Sequence, residues 1–590
     1  MRDVIIIGAG AGGPVVAAEL AGRGLDVLLL EAGAHATDPR AQWSPYENDA
    51  NNPLTGYLRF GPSDRSRPAW YRELPQNSFV WASSGVGGTT QHYFGNCIRP
   101  YPGAFAGYGG PDRTAYDHAH PFPFAYSELV PYLEWIEETL PVQTAAMGTK
   151  ETVFFTGAEK LGIPLQTRKD VTGDAYRPQE NAILQPGGNA GLTTDSALLR
   201  HPLATGCTMC GHCAQGCVQP VSAPRNLVAK RSTDNSYVPM ALTADTWSPD
   251  GRAITLEPDA FATRVHVERR GGETVATGVT WRRTLTGEHH REDARVVVLA
   301  GGCIENPRLW LNSALPNPNG WVGRGFTDHD FDAIIGLFDD DIGATKGPGS
   351  AARCDFPGRG GLEHIGQPPG LQAFALTFSD SGVRGHYDNG RGTLGPWDGP
   401  AGRLIGPELK DAFGNGANRM LTLIVNTDDD VEPQNRVTLS AFPADEHGPV
   451  PRVRVARRNR SRRTHENREH IVRRAAELAR GAGARRVYRI DWPPILLHAQ
   501  SSMRMGHSAD DSVLDADGEA RWVRRLFVAD NSALPNSAGG ANPTAASQAL
   551  ATRTAEKIFQ RYFGGDPWVG REAPVVSTDP RITHALESLP

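Results

Sequence analysis

The opening MRDVIIIGAGAGG constrains the fold more than any other stretch of the chain. Residues 3–7 form an apolar, largely β-branched run, as expected of a strand buried on both faces. That run passes directly into Gly8, Gly10 and Gly13, spaced as GxGxxG, with Ala11 and Gly12 between them, and then into a helical stretch over 14–23. Val27 to Leu30 read as a second buried strand that finishes on Glu31. The first glycine permits a tight turn, the second lets backbone approach a pyrophosphate, and the third lets helix pack on strand. Strand, turn, helix, strand and acid together predict a Rossmann-like unit, with phosphates at a helix N-terminus and Glu31 accepting hydrogen bonds from a ribose. FAD and NAD both satisfy this motif.

A second helix start lies far away in sequence. Residues 526–531 (LFVADN) read as a short strand closing on Asp530 and Asn531. They are followed by SALPNSAGGANP and a helical run over 544–562. Asn542 stands where an N-cap belongs and Pro543 where proline is favoured, ahead of Thr544. His498 closes an apolar, strand-like run within ILLHAQSSMRMG.

Charge and hydropathy exclude some classes. A net charge of -6 gives no basis for a nucleic-acid partner. The basic run Arg457, Arg458, Arg460, Arg462 and Arg463 precedes a helical pattern (Ile471, Ala475, Leu478, Ala479) and reads as a solvated helix approach. The acidic triplets 339–341 and 428–430 read as solvated loop carboxylates, with attraction of a cationic substrate such as an amino sugar as the alternative. No apolar run reaches membrane-spanning length, so no membrane segment is expected. The start of the chain goes straight into the glycine motif with no n-region and h-region, so a cytoplasmic location with reduced thiols is expected.

Six ordered blocks resemble the glucose–methanol–choline (GMC) family of flavin oxidoreductases. They are GAGAGG through Glu31; SGVGGTTQHYFGN at 84–96; VVVLAGGCIENPRLWLNS at 296–313; VGRGFTDHD at 322–330; HAQSSMRMG; and VADNSALPNSAGGANPTAAS. The resemblance implies FAD as cofactor, contacted by Gly8, Gly10, Ala11, Gly12, Gly13, Glu31, Ala32, Ser84, Gly88, Thr89, His92, Ala262, Asp530, Asn531, Asn542, Pro543 and Thr544. It implies oxidation of a CH–OH group in a sugar, amino sugar or other alcohol to a carbonyl. His498 takes the hydroxyl proton, Asn542 hydrogen-bonds the substrate oxygen, and hydride passes to flavin N5. Asn542 as a plain helix cap is the alternative. His92 falls where the sugar- and choline-oxidising branches carry a flavin-bonded histidine, so it either bonds FAD covalently or packs beside the ring. His329 and His507 are expected to have no catalytic role. Electrons then pass to oxygen, a quinone or a redox protein, dehydrogenase being favoured over oxidase; a flavin used structurally or in a lyase is the other class.

CTMCGHCAQGC holds four of the seven cysteines, Cys207, Cys210, Cys213 and Cys217. C-x2-C-x2-C-x3-C is a ferredoxin-like spacing, a poorer fit to zinc, and equally open to a metal-free turn. Within the resemblance, sugar dehydrogenases carry a three-iron cluster on C-x5-C-x3-C, which Cys207, Cys213 and Cys217 reproduce. An iron–sulfur cluster is therefore an expectation, with Cys210 a fourth ligand or a bystander. Cys97, Cys303 and Cys354 read as buried small hydrophobes.

The expected fold class is α/β (α+β overall): a Rossmann-like FAD-binding domain built from discontinuous segments, plus a substrate domain of sheet and helix. The expected segments are 1–110, 201–330 and 491–590 for the FAD-binding domain and 111–200 and 331–490 for the substrate domain. Residues 36–80 and 340–405, rich in Gly, Pro and Asp, read as long loops.

Overall fold

The computed structural model describes residues 1–37, 82–186, 206–217, 228–366, 395–398, 406–455, 460–490 and 495–589, with short strands at Asn51–Asn52, Tyr57–Leu58 and Phe79–Val80. Arg2–Ile7 is a strand, Gly13–Ala21 a helix and Val27–Leu30 the next strand, all essentially buried. Arg2–Ile7 lies at the centre of a seven-stranded sheet. It pairs in parallel with Val27–Leu30 on one side (Val4 opposite Val27) and with His289–Leu299 on the other (Val4 opposite Val296). Thr255–Glu257 extends the sheet beyond Val27–Leu30, and Leu526–Val528 adds in parallel to His289–Leu299.

His289–Leu299 changes character along its length. Its first half pairs antiparallel with Glu273–Arg283, which pairs with Ala260–Arg270, and alternates between exposed and half-buried residues. Its second half enters the parallel part, where Val296 to Leu299 are all buried. One strand thus shows both patterns, alternation where one face is solvated and a continuous apolar run where helices cover both faces.

A second, six-stranded sheet is antiparallel throughout. Its order is Arg486–Ile490, Asp332–Leu337, Met420–Thr427, Gly360–Ile365, Ala352–Phe356 and Ala175–Pro178. The helix Arg462–Gly481 packs across it through Ile471, Val472, Ala475, Ala476, Leu478 and Ala479, and Ser461 Oγ accepts from Thr464 N at 3.0 Å as its N-cap. This mixed α/β architecture is the expected class.

Three expectations need correction. Ala352–Phe356 and Gly360–Ile365 are interior strands of the second sheet, although 340–405 read as loop; 367–394 and 399–405 lie outside the described residues, as does most of 36–80. ARCDF alternates core residues Ala352, Cys354 and Phe356 with the buried charges Arg353 and Asp355, and GGLEHI opens on two glycines; pieces this short inside a stretch rich in Gly, Pro and Asp read as loop. The second acidic triplet is neither solvated nor available to a substrate. Asp428 pairs with Arg463 Nη1 at 2.9 Å, Asp429 with Arg460 Nη2 at 2.7 Å and Asp430 with Arg463 Nε at 2.6 Å. Arg460 and Arg463 of the basic run are therefore structural ion-pair partners, while Arg462 stays exposed beside Glu466, and Arg457 and Arg458 lie outside the described residues. The other triplet, 339–341, is exposed.

Glu19, inside the first helix, accepts from Trp135 Nε1 at 2.6 Å, and burial pushes its carboxyl up to about 7 from 4.5. Between these values the unfolded chain sheds a proton that the folded chain keeps, so this group lowers stability as pH rises from about 4.5 to about 7. The Glu19→Gln protein, which keeps an acceptor for Trp135, is expected to gain about 2–3 kcal/mol above that window and nothing below it. Urea unfolding on either side of the window checks this.

Candidate active site

The loop after the first strand is shaped by close approach. Gly8 sits at φ +108°, and a Cβ there would meet Ala300 O at 2.3 Å. Beneath it, Gly12 and Gly13 pack on the backbone of Ala529 and Gly8. Gly10 differs: a Cβ there would meet nothing within 4 Å. It borders a cavity of about 280 Å³ whose lining includes Gly8, Gly10, Ala11, Glu31, Ala32, Ser84, Gly88, Thr89, Ala262, Asp530 and Asn531. Three segments distant in sequence therefore converge on one cleft at the carboxyl ends of the parallel strands, where open α/β sheets bind ligands.

Glu31 holds this cleft together. Its carboxylate accepts from Ala9 N at 2.8 Å and from Gly33 N and Gly85 N at 2.9 Å, which ties the glycine loop to the 84–96 loop. Burial raises its pKa against these hydrogen bonds. Asp530 does the same on the far side. It accepts from Gly302 N at 2.7 Å and Asn306 Nδ2 at 2.8 Å, and burial raises its pKa too. Asn306, which sequence reading passed over, thus wires the AGGCIENP block to the VADNS block. A dinucleotide fits this chain: a backbone bordering open space, a buried acid on the second strand, and small residues around the mouth.

His92, Asn542, Pro543, Thr544 and His498 lie outside the cavity lining. His92 follows the Gly88–Gln91 turn, is 4% exposed, and its Nδ1 lies 3.3 Å from Ala214 O. Burial, then Lys230, lowers its pKa to about 3, so the ring is neutral. Pro543 caps the Thr544–Ile558 helix, and Asn542 sits one position earlier with no capping bond. Its Oδ1 instead accepts from Arg353 Nη1 at 3.1 Å, so the helix-cap alternative does not hold.

His498 is half-buried, with its backbone N donating to Asp328 Oδ1 at 2.7 Å. Its Nδ1 lies 2.9 Å from Nδ1 of His329. Burial, with His329 and Arg353 adding to it, holds its pKa well below 6.5, so the imidazole is neutral. His507 is exposed and takes no part.

The cysteine segment is not arranged as a metal centre. Among the described residues, no three His, Cys, Asp or Glu side chains come together to hold an ion, Cys207, Cys210, Cys213 and Cys217 included. Cys213 and Cys217 pack with Ile183, Leu184, Val228 and Ala229, and burial raises the thiols of Cys207, Cys213 and Cys217, the last to about 12. The iron–sulfur expectation is therefore not supported: the spacing serves packing of a tight turn. That turn braces the 84–96 loop, because Lys230 Nζ donates to the carbonyls of Gln91 (2.7 Å), Tyr93 (2.9 Å) and Cys213 (2.7 Å). No helix among the described residues is long and apolar enough to cross a membrane.

Comparison with known proteins agrees with this geometry. Models of the GMC oxidoreductase family match residues 172–331 and 431–551, and an NAD(P)-binding Rossmann-like model matches 6–48. The chain is 26% identical to 2-methyl-1,2-propanediol dehydrogenase of Mycolicibacterium austroafricanum, over 95% of each chain. It is 27% identical to 6'''-hydroxyparomomycin C oxidase of Streptomyces lividus, over 94% of this chain and 91% of that one. Its fold is similar to the crystal structure of pyridoxine 4-oxidase from Mesorbium loti, with TM-score 0.59, 16% identity and 95% and 100% of the two chains covered. The fold, the cleft and these matches place the chain in the GMC oxidoreductase family, enzymes that act on alcohol and sugar CH–OH groups.

Proposed function

We propose that this enzyme oxidises a CH–OH group of a sugar, amino sugar or other alcohol to a carbonyl, with His498 as the general base and Asn542 as the donor to the substrate oxygen. One observation supports this most: buried Arg353 donates to Asn542, and the same charge helps keep His498 neutral, so one cation bears on both side chains. FAD, held by the glycine loop, Glu31, Ser84, Thr89 and Asp530, supplies the two-electron acceptor when bound. His498, neutral at working pH, accepts the hydroxyl proton. Because Asn542 Oδ1 is engaged by Arg353, the Nδ2 end is the one that can donate to the oxygen as it gains negative charge. Pro543 and Thr544 start a helix whose positive end favours negative charge near its first turn.

His92 is the attachment point for a covalently held FAD. With Ala214 O as an acceptor-only partner, the neutral ring carries its proton on Nδ1 and a lone pair on Nε2. Acid precipitation is expected to leave the yellow colour in the protein pellet, and in the His92→Ala protein to release it to the supernatant. Colour released from both proteins contradicts this role. The names of the relatives, a propanediol dehydrogenase and a hydroxyparomomycin oxidase, support a polar alcohol as substrate. Oxygen, a quinone or a redox protein takes the electrons, and hydrogen peroxide formed in step with product marks an oxidase.

A further inference from the structure

The segment 327–330 runs beside the strand end that carries His498 and contacts it through Asp328 and His329. Thr327 and Gln500 exchange backbone hydrogen bonds at 3.1 and 3.0 Å, Asp328 accepts from His498 N, and the His329 ring meets the His498 ring. His329 and Asp330 both adopt positive φ, +40° and +32°, a conformation that side-chain-bearing residues rarely take and that persists where the surroundings over-determine it. Thr427 N donates to His329 O at 2.8 Å and fixes the strained backbone, and the side chain is fully buried.

Hydrogen-bond bookkeeping then determines the protons. His329 Nε2 lies 3.0 Å from Ser537 O, which can only accept. Nε2 of His329 therefore carries a proton. Gln500 Nε2 is placed 2.9 Å from that same nitrogen, and two donors cannot share one contact; because the Ser537 carbonyl can only accept, the Gln500 amide is assigned the opposite way round, with its oxygen toward His329. Burial lowers the His329 pKa to about 4, so the ring is neutral and its Nδ1 is a bare acceptor. The facing Nδ1 of His498, 2.9 Å away, must be the donor.

Resting on the reading of His498 as the base, we propose that His329 is a positioning residue that holds His498 in the Nδ1–H tautomer, leaving the lone pair on Nε2. The substrate O–H bond then breaks toward Nε2, an N–H bond forms there, and the alkoxide keeps the electron pair. His329 Nδ1 goes on accepting from the resulting imidazolium. His329 thus does for this base what an orienting hydrogen-bond partner does for a metal-bound histidine, fixing which nitrogen acts.

Two arms test this. In the first, anaerobic stopped-flow reduction of the FAD-loaded protein is followed for His329→Leu, His329→Asn and His329→Gln. Asparagine can place Oδ1 where Nδ1 was, whereas glutamine reaches the Nε2 position. The leucine and glutamine proteins are expected to lose on the order of 10–10²-fold in reduction rate, with substrate affinity little changed, and the asparagine protein to recover most of it. Equal loss in asparagine and glutamine, or none in leucine, overturns the proposal. In the second arm, ¹⁵N-histidine NMR identifies the His498 resonances by their absence in His498→Gln. A protonated Nδ1 and bare Nε2, scrambled in the asparagine and leucine proteins to a small and a large extent respectively, are expected; a protonated Nε2 in the unaltered protein overturns it. This arm needs no turnover, so failure of the alcohol-oxidation reading and failure of the tautomer lock are read separately.

Discussion

Replacing His498 by alanine is expected to leave the fold and FAD content intact and to slow flavin reduction by alcohol on the order of 10²–10⁴-fold, the range lost with a general base. The His498 backbone N–H to Asp328 survives the change, and what is lost is the Nδ1 contact with His329 and edge-on packing against Phe331 and His329, at 5.0 and 4.9 Å between centroids. Burial, His329 and Arg353 all push the His498 pKa below 6.5, so the proton leaves at lower pH than for an ordinary histidine and the base is present from the acid range upward. The reduction rate in the unaltered enzyme should therefore stay flat as pH falls through 6.5 and decline only below it. Stopped-flow reduction as a function of pH checks both parts; an acid limb at or above 6.5 contradicts the assignment.

Replacing Arg353 by methionine is expected to cost about 3–5 kcal/mol of stability, the cost of breaking a buried ion pair. Arg353 Nε donates to Asp355 Oδ1 at 2.6 Å, Nη2 to Tyr101 Oη at 3.2 Å and Nη1 to Asn542 Oδ1 at 3.1 Å, and Glu363 lies 3.5 Å away. Burial works against ionisation of Asp355, but Arg353 and Arg177 together hold it ionised, with its pKa at about 2. Methionine fills the volume, leaves Asp355 with Arg177 as its remaining cation beside the Tyr101 hydroxyl that donates to it, and leaves Asn542 without its Arg353 donor. Two readouts separate the stability loss from the functional one. Turnover of the folded fraction should fall because the Asn542 amide is no longer fixed. The acid limb of the pH profile should move upward, because a positive charge facing His498 and His329 is gone. Chemical unfolding together with the pH profile measures both, and an unmoved acid limb contradicts the electrostatic part.

The sequence showed the first sheet and the cleft because both are written locally. A strand, GxGxxG, a helix and Glu31 occupy one short stretch, in which Gly8 and Gly13 are required by close backbone approach and Gly10 borders the open cleft. His498 closes an apolar run and Asn542 precedes Pro543 at a helix start, and the resemblance to the family points to both. What supports them was hidden. Arg353 lies in a strand of only five residues, and nothing near it in the chain indicates Asn542 as its partner. His329 was given no role, because a tautomer is set by a contact across 169 positions of sequence. The two charged runs at 428–430 and 460–463 each looked solvated by itself, yet they neutralise one another in the core. CTMCGHCAQGC misled in the opposite way. Ligand spacing is a local signal, while its use here, a turn whose carbonyls receive His92 and Lys230, is a long-range one.

The most direct test mixes the FAD-loaded enzyme anaerobically with a panel of diols, sugars, amino sugars and simple alcohols, while flavin absorbance and carbonyl product are followed together. The account predicts that at least one alcohol bleaches the flavin with stoichiometric carbonyl formation, and that the His498→Ala protein, equally loaded with FAD, does so far more slowly. Bleaching without a carbonyl, or bleaching at the same rate in both proteins, would contradict it.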